Sequence, residues 1–146
     1  MDLPVLLIGF NRPKEFNQVL MNLKKNGITN LFISLDGPRE KNIDDAKARK
    51  EILSIINNLD WCNPSVNLLP KNYGCKKAVN KAITWFFSHV KFGVINEDDV
   101  ILNTQFFSDS MYLLKKYQNE PSIMSISAHS EFSSGKGMSH FLSPFC

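Results

Sequence analysis

Apolar runs of strand length alternate with segments of helical periodicity along most of this chain, and this alternation limits the possible folds more than any other feature. The first run, Leu3 to Phe10, is continuous and rich in Val and Leu, which is typical of a strand buried on both faces. Pro13 then suits the first turn of a helix, and Gly27 marks its end.

The same alternation continues beyond the first helix. Further helices are predicted to open at Asp44 or Asp45, after Gly74, and at Asn103 or Thr104. Further strands are predicted at Leu31 to Leu35, Val66 to Leu69, Phe92 to Ile95 and Ile123 to Ile126. This order predicts an α/β, Rossmann-like fold, with a mostly parallel sheet and helices on both faces.

Composition indicates one ordinary domain without a strongly charged partner. The 146 residues carry 17 Lys and Arg against 14 Asp and Glu, a net charge of +3, which is too weak to indicate nucleic-acid binding. The first apolar run is too short to span a membrane and lacks signal-peptide features. We therefore expect a cytoplasmic protein with no integral membrane segment, although peripheral contact with a membrane stays open.

Cys62, Cys75 and Cys146 are widely spaced and are expected to be free thiols.

Polar groups follow the predicted strands. Ligands of parallel sheets bind beyond the carboxyl ends of the strands, and four of the five strand-end segments here carry charged groups. These segments read GFNR, SLDGPR, KNYG, NEDD and SAHS. The sequence therefore predicts a binding site on one edge of the sheet, with His129 of the last segment as a minor candidate.

Glu97, Asp98 and Asp99 form an acidic triplet at the end of the fourth strand. Adjacent carboxylates repel one another, and a Mg²⁺ or Mn²⁺ ion would relieve that repulsion. On an extended backbone Glu97 and Asp99 point to one side and Asp98 to the other. We expect one residue to ligate the ion and the others to orient ribose or sugar hydroxyls. The simpler alternative is that the acids favour the N-terminus of the next helix through its dipole.

Other strand-end residues have both a binding and a structural interpretation. Arg12 could grip a phosphate or be a surface arginine. Asp36 could accept hydrogen bonds from a ribose or a base, or form an Asx turn. Gly74 permits close backbone approach at a helix N-terminus that attracts anions, and Lys76 adds charge there or is simply solvated. No glycine-rich nucleotide motif is present in the sequence.

Five segments together resemble the GT-A glycosyltransferases, in their order and spacing from Pro4 to Ser130. The chain is most similar to the N-acetylglucosaminyltransferases that begin complex N-glycan branching, and to their bacterial relatives. The segments read PVLLIGFNRP, LFISLDGPR, NYGCKKAVNKAITWFF, GVINEDDVILNTQFF and SIMSISAHS. The resemblance implies transfer of a sugar from a nucleotide-sugar, a UDP-sugar by analogy, to an acceptor hydroxyl with Mn²⁺ or Mg²⁺.

The resemblance also implies residue roles. Asp99 would ligate the metal that bridges the donor diphosphate, within a variant of the D-x-D motif. Arg12 would lie near the donor phosphates, and Asp36 would read uracil. The implied nucleotide-sugar-binding residues are Asn11, Arg12, Asp36, Asn72, Tyr73, Gly74, Lys76, Glu97 and Asp98.

GT-A enzymes of this kind continue well beyond the length of this chain, so the resemblance leads us to expect a C-terminal truncation. Residues 1–130 would be the nucleotide-sugar-binding domain, and residues 131–146 the start of an acceptor-side segment or a tail. The catalytic base would lie in the missing part, so no residue is assigned to it. Either the chain is a fragment or a partner chain completes the site, and the acceptor, whether glycan, lipid or protein, is undefined.

Two other function classes stay open. A metal-dependent nucleotidyltransferase or phosphoryltransferase could use the same acidic edge, but it would be expected to show a Gly-rich loop where FNRPKEF follows the first strand. A non-catalytic nucleotide-binding α/β module is the third reading. A receiver-like module would carry an acidic pair after the first strand, where Asn11 and Arg12 stand instead.

Overall fold

The computed structural model describes residues 2–127 and contains four strands and four helices in strict alternation. In chain order they are β1 (Val5–Gly9), α1 (Pro13–Lys25), β2 (Leu31–Leu35), α2 (Ile43–Asn57), β3 (Ser65–Leu68), α3 (Cys75–Phe87), β4 (Val94–Glu97) and α4 (Thr104–Tyr117). The strands form one sheet in the order β3-β2-β1-β4, and every neighbouring pair is parallel. The α/β class and the parallel sheet predicted from the sequence are confirmed.

Local signals in the sequence place the helix ends. Pro13 is at the first position of α1, and the chain leaves the helix through Gly27 at a positive φ of 69°, a conformation that favours glycine. Asn103 caps α4 by accepting a hydrogen bond from the Phe106 N–H at 2.8 Å. Helix α2 begins earlier than predicted, because Asn42 is its cap and accepts from the Asp45 N–H at 2.9 Å.

The helices cover both faces of the sheet. Phe16 of α1 approaches Gly9 on one face, and α2 packs against α1. On the other face Phe86 of α3 packs with Leu6 of β1 and Phe32 of β2. Because successive residues of a strand point to opposite faces, β1 contributes apolar groups to both layers. This double burial explains why its sequence is apolar throughout.

Two strand predictions need correction. The fourth strand lies two residues later than expected, so that Glu97 is its last residue. The predicted fifth strand is wrong, since residues 123–126 form no strand and the Met124 side chain is 87% exposed. An apolar stretch does not form a strand by itself. The backbone N–H and C=O groups of a strand must pair with a neighbouring strand, and its apolar side chains must be buried.

The described residues divide into two compact units, one that ends at Leu102 and one that begins at Asn103. The sheet and helices α1 to α3 belong to the first unit, and α4 belongs to the second. His129 and the segment 131–146 lie outside the described residues. Within the described part, no helix has the length and apolar character needed to cross a membrane.

Replacing Phe86 by alanine should remove about 3–5 kcal/mol from the free energy of unfolding, because the ring is fully buried against both central strands. The neighbouring Phe87 is 44% exposed, so Phe87→Ala should cost less than about 1 kcal/mol. Urea unfolding followed by circular dichroism compares the two variants. Equal losses would contradict the assignment of Phe86 to the core.

Candidate functional site at the carboxyl edge of the sheet

The strand order reverses between β1 and β4. The chain adds β2 and β3 on one side of β1 and then crosses over to place β4 on the other side. In open parallel sheets, ligands bind in the crevice at such a reversal, outside the carboxyl ends of the strands. The segment after β1 and the turn after β4 meet at this point.

Arg12 bridges two members of the acidic triplet in the crevice. Its Nη2 donates to Asp98 Oδ1 at 2.5 Å, and its Nη1 donates to Asp99 Oδ2 at 2.6 Å. The second oxygen of Asp98 accepts a hydrogen bond from the Phe10 N–H at 3.2 Å. The structure therefore brings together Arg12, Asp98 and Asp99, which the sequence predicted separately.

The expected alternation of the triplet is wrong. The chain turns directly after Glu97, and the Val100 N–H donates to the Glu97 carbonyl at 3.2 Å. Asn96 supports the turn by donating to the Val100 carbonyl at 3.1 Å. Because the backbone is no longer extended there, Asp98 and Asp99 reach the same guanidinium. Glu97 ends the strand with an exposed side chain.

The two aspartates differ in environment. Asp98 is only 2% exposed, and burial raises the pKa of its carboxyl group, against the opposing effect of the Phe10 N–H and the Arg12 charge. Asp99 has a side chain that is 43% exposed and gives only one oxygen to Arg12. The cluster contains two carboxyl groups and one guanidinium, an excess of acidic groups that favours a cation.

The donor set suits a divalent cation that a substrate also helps to hold. Both oxygens of Asp98 are engaged within the chain, whereas Asp99 keeps one oxygen for a ligand. No group of three or more His, Cys, Asp or Glu side chains in residues 2–127 is arranged to bind a metal by itself. Mg²⁺ commonly takes one or two protein carboxylates and completes its shell with phosphate oxygens and water.

Asp36 organises the loop that precedes α3. Its buried carboxylate accepts from the Gly37 N–H at 2.8 Å, the Tyr73 N–H at 3.0 Å and Asn72 Nδ2 at 3.0 Å. Gly37 permits this packing, because a Cβ there would lie 2.3 Å from the Lys71 backbone. The hydrogen-bonding capacity of the carboxylate is largely used inside the chain. Recognition of a nucleotide's ribose or base by Asp36 stays a prediction.

Gly74 and Lys76 lie at the start of α3. Gly74 has a positive φ of 75°, and a Cβ on it would meet no atom within 4 Å. The backbone conformation by itself therefore favours glycine here, and the close approach of an anion to this backbone stays a prediction. Lys76 is exposed in the first turn of α3, which carries no acidic residue.

A third cluster was not predicted from the sequence. Buried Asp45 accepts from Arg39 at Nε (2.7 Å) and Nη2 (2.8 Å), and from Asn11 Nδ2 at 2.8 Å. The Arg39 guanidinium carbon also lies 5.6 Å from the centre of the Phe10 ring. Asn11 thus contacts Asp45 and not the acidic triplet. Arg39 belongs to the strand-end segment SLDGPR and could have been chosen as a candidate. The burial of Asp45 could not be predicted, because no sequence pattern indicates it.

Arg49 of α2 joins the ends of β2 and β3. Its Nη1 donates to the Asp36 carbonyl at 2.7 Å, and its Nη2 donates to the Leu69 carbonyl at 3.1 Å. Partial burial lowers the pKa of this guanidinium. Arg49 therefore fixes the same strand ends from which the loop of Asp36 departs.

Comparison with known proteins adds no identification. The chain matches no protein-family model, no curated protein and no solved structure. The geometry at the carboxyl edge therefore has to support any proposal about function.

Replacing Asp45 by asparagine should destabilise the fold by about 2–3 kcal/mol at pH 7, because it removes the charge that Arg39 and Asn11 contact. Arg39 holds the pKa of Asp45 well below its usual range. The ionised carboxylate therefore stabilises the folded state above about pH 4, and this contribution is lost as the pH falls. Urea unfolding of both proteins between pH 7 and about pH 3 measures it.

Asp44→Asn is the matched control, because Asp44 is the exposed neighbour in the same helical turn. It should cost less than about 1 kcal/mol. The difference between wild type and Asp45→Asn should shrink at low pH. A difference that does not depend on pH would contradict the ionic role of Asp45.

Proposed function

We propose that this chain is a GT-A glycosyltransferase, or the donor-binding part of one, that transfers a sugar from a nucleotide-sugar to an acceptor hydroxyl. A UDP-sugar is the proposed donor, by the sequence resemblance. The observation that carries the proposal is the cluster of Arg12, Asp98 and Asp99 at the reversal of strand order. In parallel α/β sheets that bind nucleotides, the nucleotide lies in the crevice where the strand order reverses.

Asp99 is the proposed ligand of a Mg²⁺ or Mn²⁺ ion, because its carboxylate is the accessible one. When bound, the ion would supply Lewis-acid stabilisation of the leaving diphosphate. Arg12 fixes the orientation of Asp99 through one nitrogen and is itself held by buried Asp98 through the other. This arrangement preorganises the metal ligand before the donor arrives.

The nucleoside would lie toward the end of β2. Asp36 and Asp98 follow strands on either side of β1, so their backbones are separated by two strand spacings, roughly 10 Å. The loop of Asn72, Tyr73 and Gly74, which Asp36 organises, borders this region. A ribose and base could therefore contact this loop while the diphosphate lies at Asp99.

Transfer requires a base within hydrogen-bond reach of the acceptor hydroxyl, and no described side chain is proposed for that role. The donor-binding part of the proposal can therefore be tested separately from catalysis. Reaction products separate the two enzyme classes. Glycosyl transfer or donor hydrolysis releases UDP from a UDP-sugar, whereas nucleotidyl transfer from a nucleoside triphosphate releases pyrophosphate.

The wild type should be stabilised by UDP together with Mn²⁺, and Asp99→Asn should lose this stabilisation because its side chain no longer offers a charged metal ligand. At a hundred times the dissociation constant the gain is about 2.7 kcal/mol, or roughly 5–10 °C in Tm for a domain of this size. Thermal-shift titrations with UDP, GDP, CMP and UDP-sugars, each with and without Mn²⁺, measure it.

Asp60→Asn is the matched control, since Asp60 is an exposed aspartate that pairs with Lys24, away from the carboxyl edge. It should keep the full shift. A folded wild type that no nucleotide stabilises would contradict the donor-binding proposal. A shift that Asp99→Asn retains would contradict the role of Asp99.

A further inference from the structure

Net positive charge is concentrated in one quarter of the chain, because acidic residues are missing from it. Residues 61–96 contain five lysines and no aspartate or glutamate, although the whole chain has a net charge of only +3. This stretch supplies β3, the loop after it, α3 and most of β4. The modest net charge of the chain therefore hides a segregated cationic region.

Four of these lysines form what we call the lysine face. They lie in the loop before α3 and in the first half of that helix, and all four side chains are exposed. They are Lys71, Lys76, Lys77 and Lys81. Across the part of the chain that the structure describes, none of them forms an ion pair with a carboxylate. No carboxylate of the described residues therefore neutralises these lysines by direct pairing.

Two of these lysines are placed where the isolated fold disfavours positive charge. Lys76 and Lys77 occupy the first turn of α3, where the helix dipole disfavours cations. An anionic partner would turn this cost into an attraction. Lys71 and Lys81 lie 5.6 Å and 4.8 Å from the centre of the Tyr73 ring, so an aromatic group lies among the charges.

The residue types favour a diffuse anionic surface over a single phosphate group or a nucleic acid. All five cations of the stretch are lysines. Lysine is a flexible point charge, whereas arginine is the usual choice for bidentate phosphate recognition and base contacts. Phe87, which is 44% exposed, lies on the solvent side of the same helix and adds an apolar group. Lysine clusters with nearby aromatic groups are typical of protein surfaces that bind anionic membranes.

We propose that the lysine face docks the protein on the surface of an anionic lipid bilayer. Helix α3 begins at the carboxyl edge of the sheet, so the lysine face borders the edge that carries Arg12, Asp98 and Asp99. Helices α1 and α2 cover the opposite face of the sheet and would point away from the bilayer. This inference does not depend on the proposed glycosyltransferase activity, because it rests on charge and exposure alone.

Flotation of the full chain with lipid vesicles tests the proposal. The wild type should bind vesicles containing about 30% phosphatidylserine in phosphatidylcholine, and not phosphatidylcholine alone. Each lysine near an anionic surface should contribute about fivefold to the partition coefficient. Replacing all four lysines of the lysine face by glutamine should therefore reduce binding by at least about a hundredfold. Raising the salt concentration should weaken the binding of the wild type.

The matched control replaces four exposed lysines of α1 and α2 by glutamine, at Lys14, Lys25, Lys47 and Lys50. It makes the same change in net charge and should keep binding within a few-fold of the wild type. Thermal unfolding should show the lysine-face variant to be folded, with a Tm close to that of the wild type, because the removal of two cations from a helix N-terminus offsets the loss of the contacts of Lys71 and Lys81 with the Tyr73 ring. Loss of vesicle binding in that variant would then not reflect unfolding.

Three outcomes would overturn the proposal. The first is a wild type that does not bind the anionic vesicles. The second is an equal loss of vesicle binding in the two lysine variants. The third is release of the protein from the vesicles by a single-stranded oligonucleotide that is present at a lower concentration than the lipid. The last result would assign the lysine face to nucleic acid.

The Phe87→Ala variant tests the apolar contribution to vesicle binding. It should weaken vesicle binding several-fold without changing its salt dependence, because it removes apolar area and no charge.

Discussion

The central position of β1 is the constraint on which the rest of the structure depends. The strand pairs with β2 on one side and β4 on the other, and helices cover both of its faces. No polar side chain can be accommodated along such a strand without a partner. Polar contacts therefore start only where the strand ends, at the Phe10 N–H and the side chains of Asn11 and Arg12. Because β4 lies beside β1 and far from β3, the same constraint creates the crevice in which Arg12 meets Asp98 and Asp99.

Three buried carboxylates fix the loops at this edge, and each does so with different partners. Asp98 holds Arg12 and the Phe10 N–H, Asp36 holds the loop before α3, and Asp45 joins Arg39 to Asn11. A buried carboxylate is tolerated only when its charge and lone pairs are satisfied. Because each buried carboxylate needs several hydrogen-bond donors, each one holds two chain segments together. A rigid rim of this kind can present Asp99 and the Asn72-Tyr73-Gly74 loop to a ligand in fixed geometry.

Parts of this arrangement could be predicted from the sequence, and the reasons differ between elements. Helix ends at Pro13, Gly27 and Asn103 were predictable, because caps and breakers act through bonds with near neighbours in the chain. The fourth strand was predicted two residues early, because the apolar run of Phe92 to Ile95 includes residues that precede the ladder. The strand expected at residues 123–126 does not exist, because strand formation needs a partner that local composition cannot supply.

Sequence by itself determined the alternation of strands and helices, the location of polar groups at strand ends, and the acidic triplet as the centre of interest. These are properties of residues close together in the chain, where periodicity and turn chemistry act. Only the tertiary structure decided that Asp98 is buried while Asp99 is accessible, that both share Arg12, and that Asn11 belongs with Asp45. These contacts join residues 34 to 88 positions apart. Strand order and the turn after Glu97 create them, and no local pattern in the sequence encodes either one.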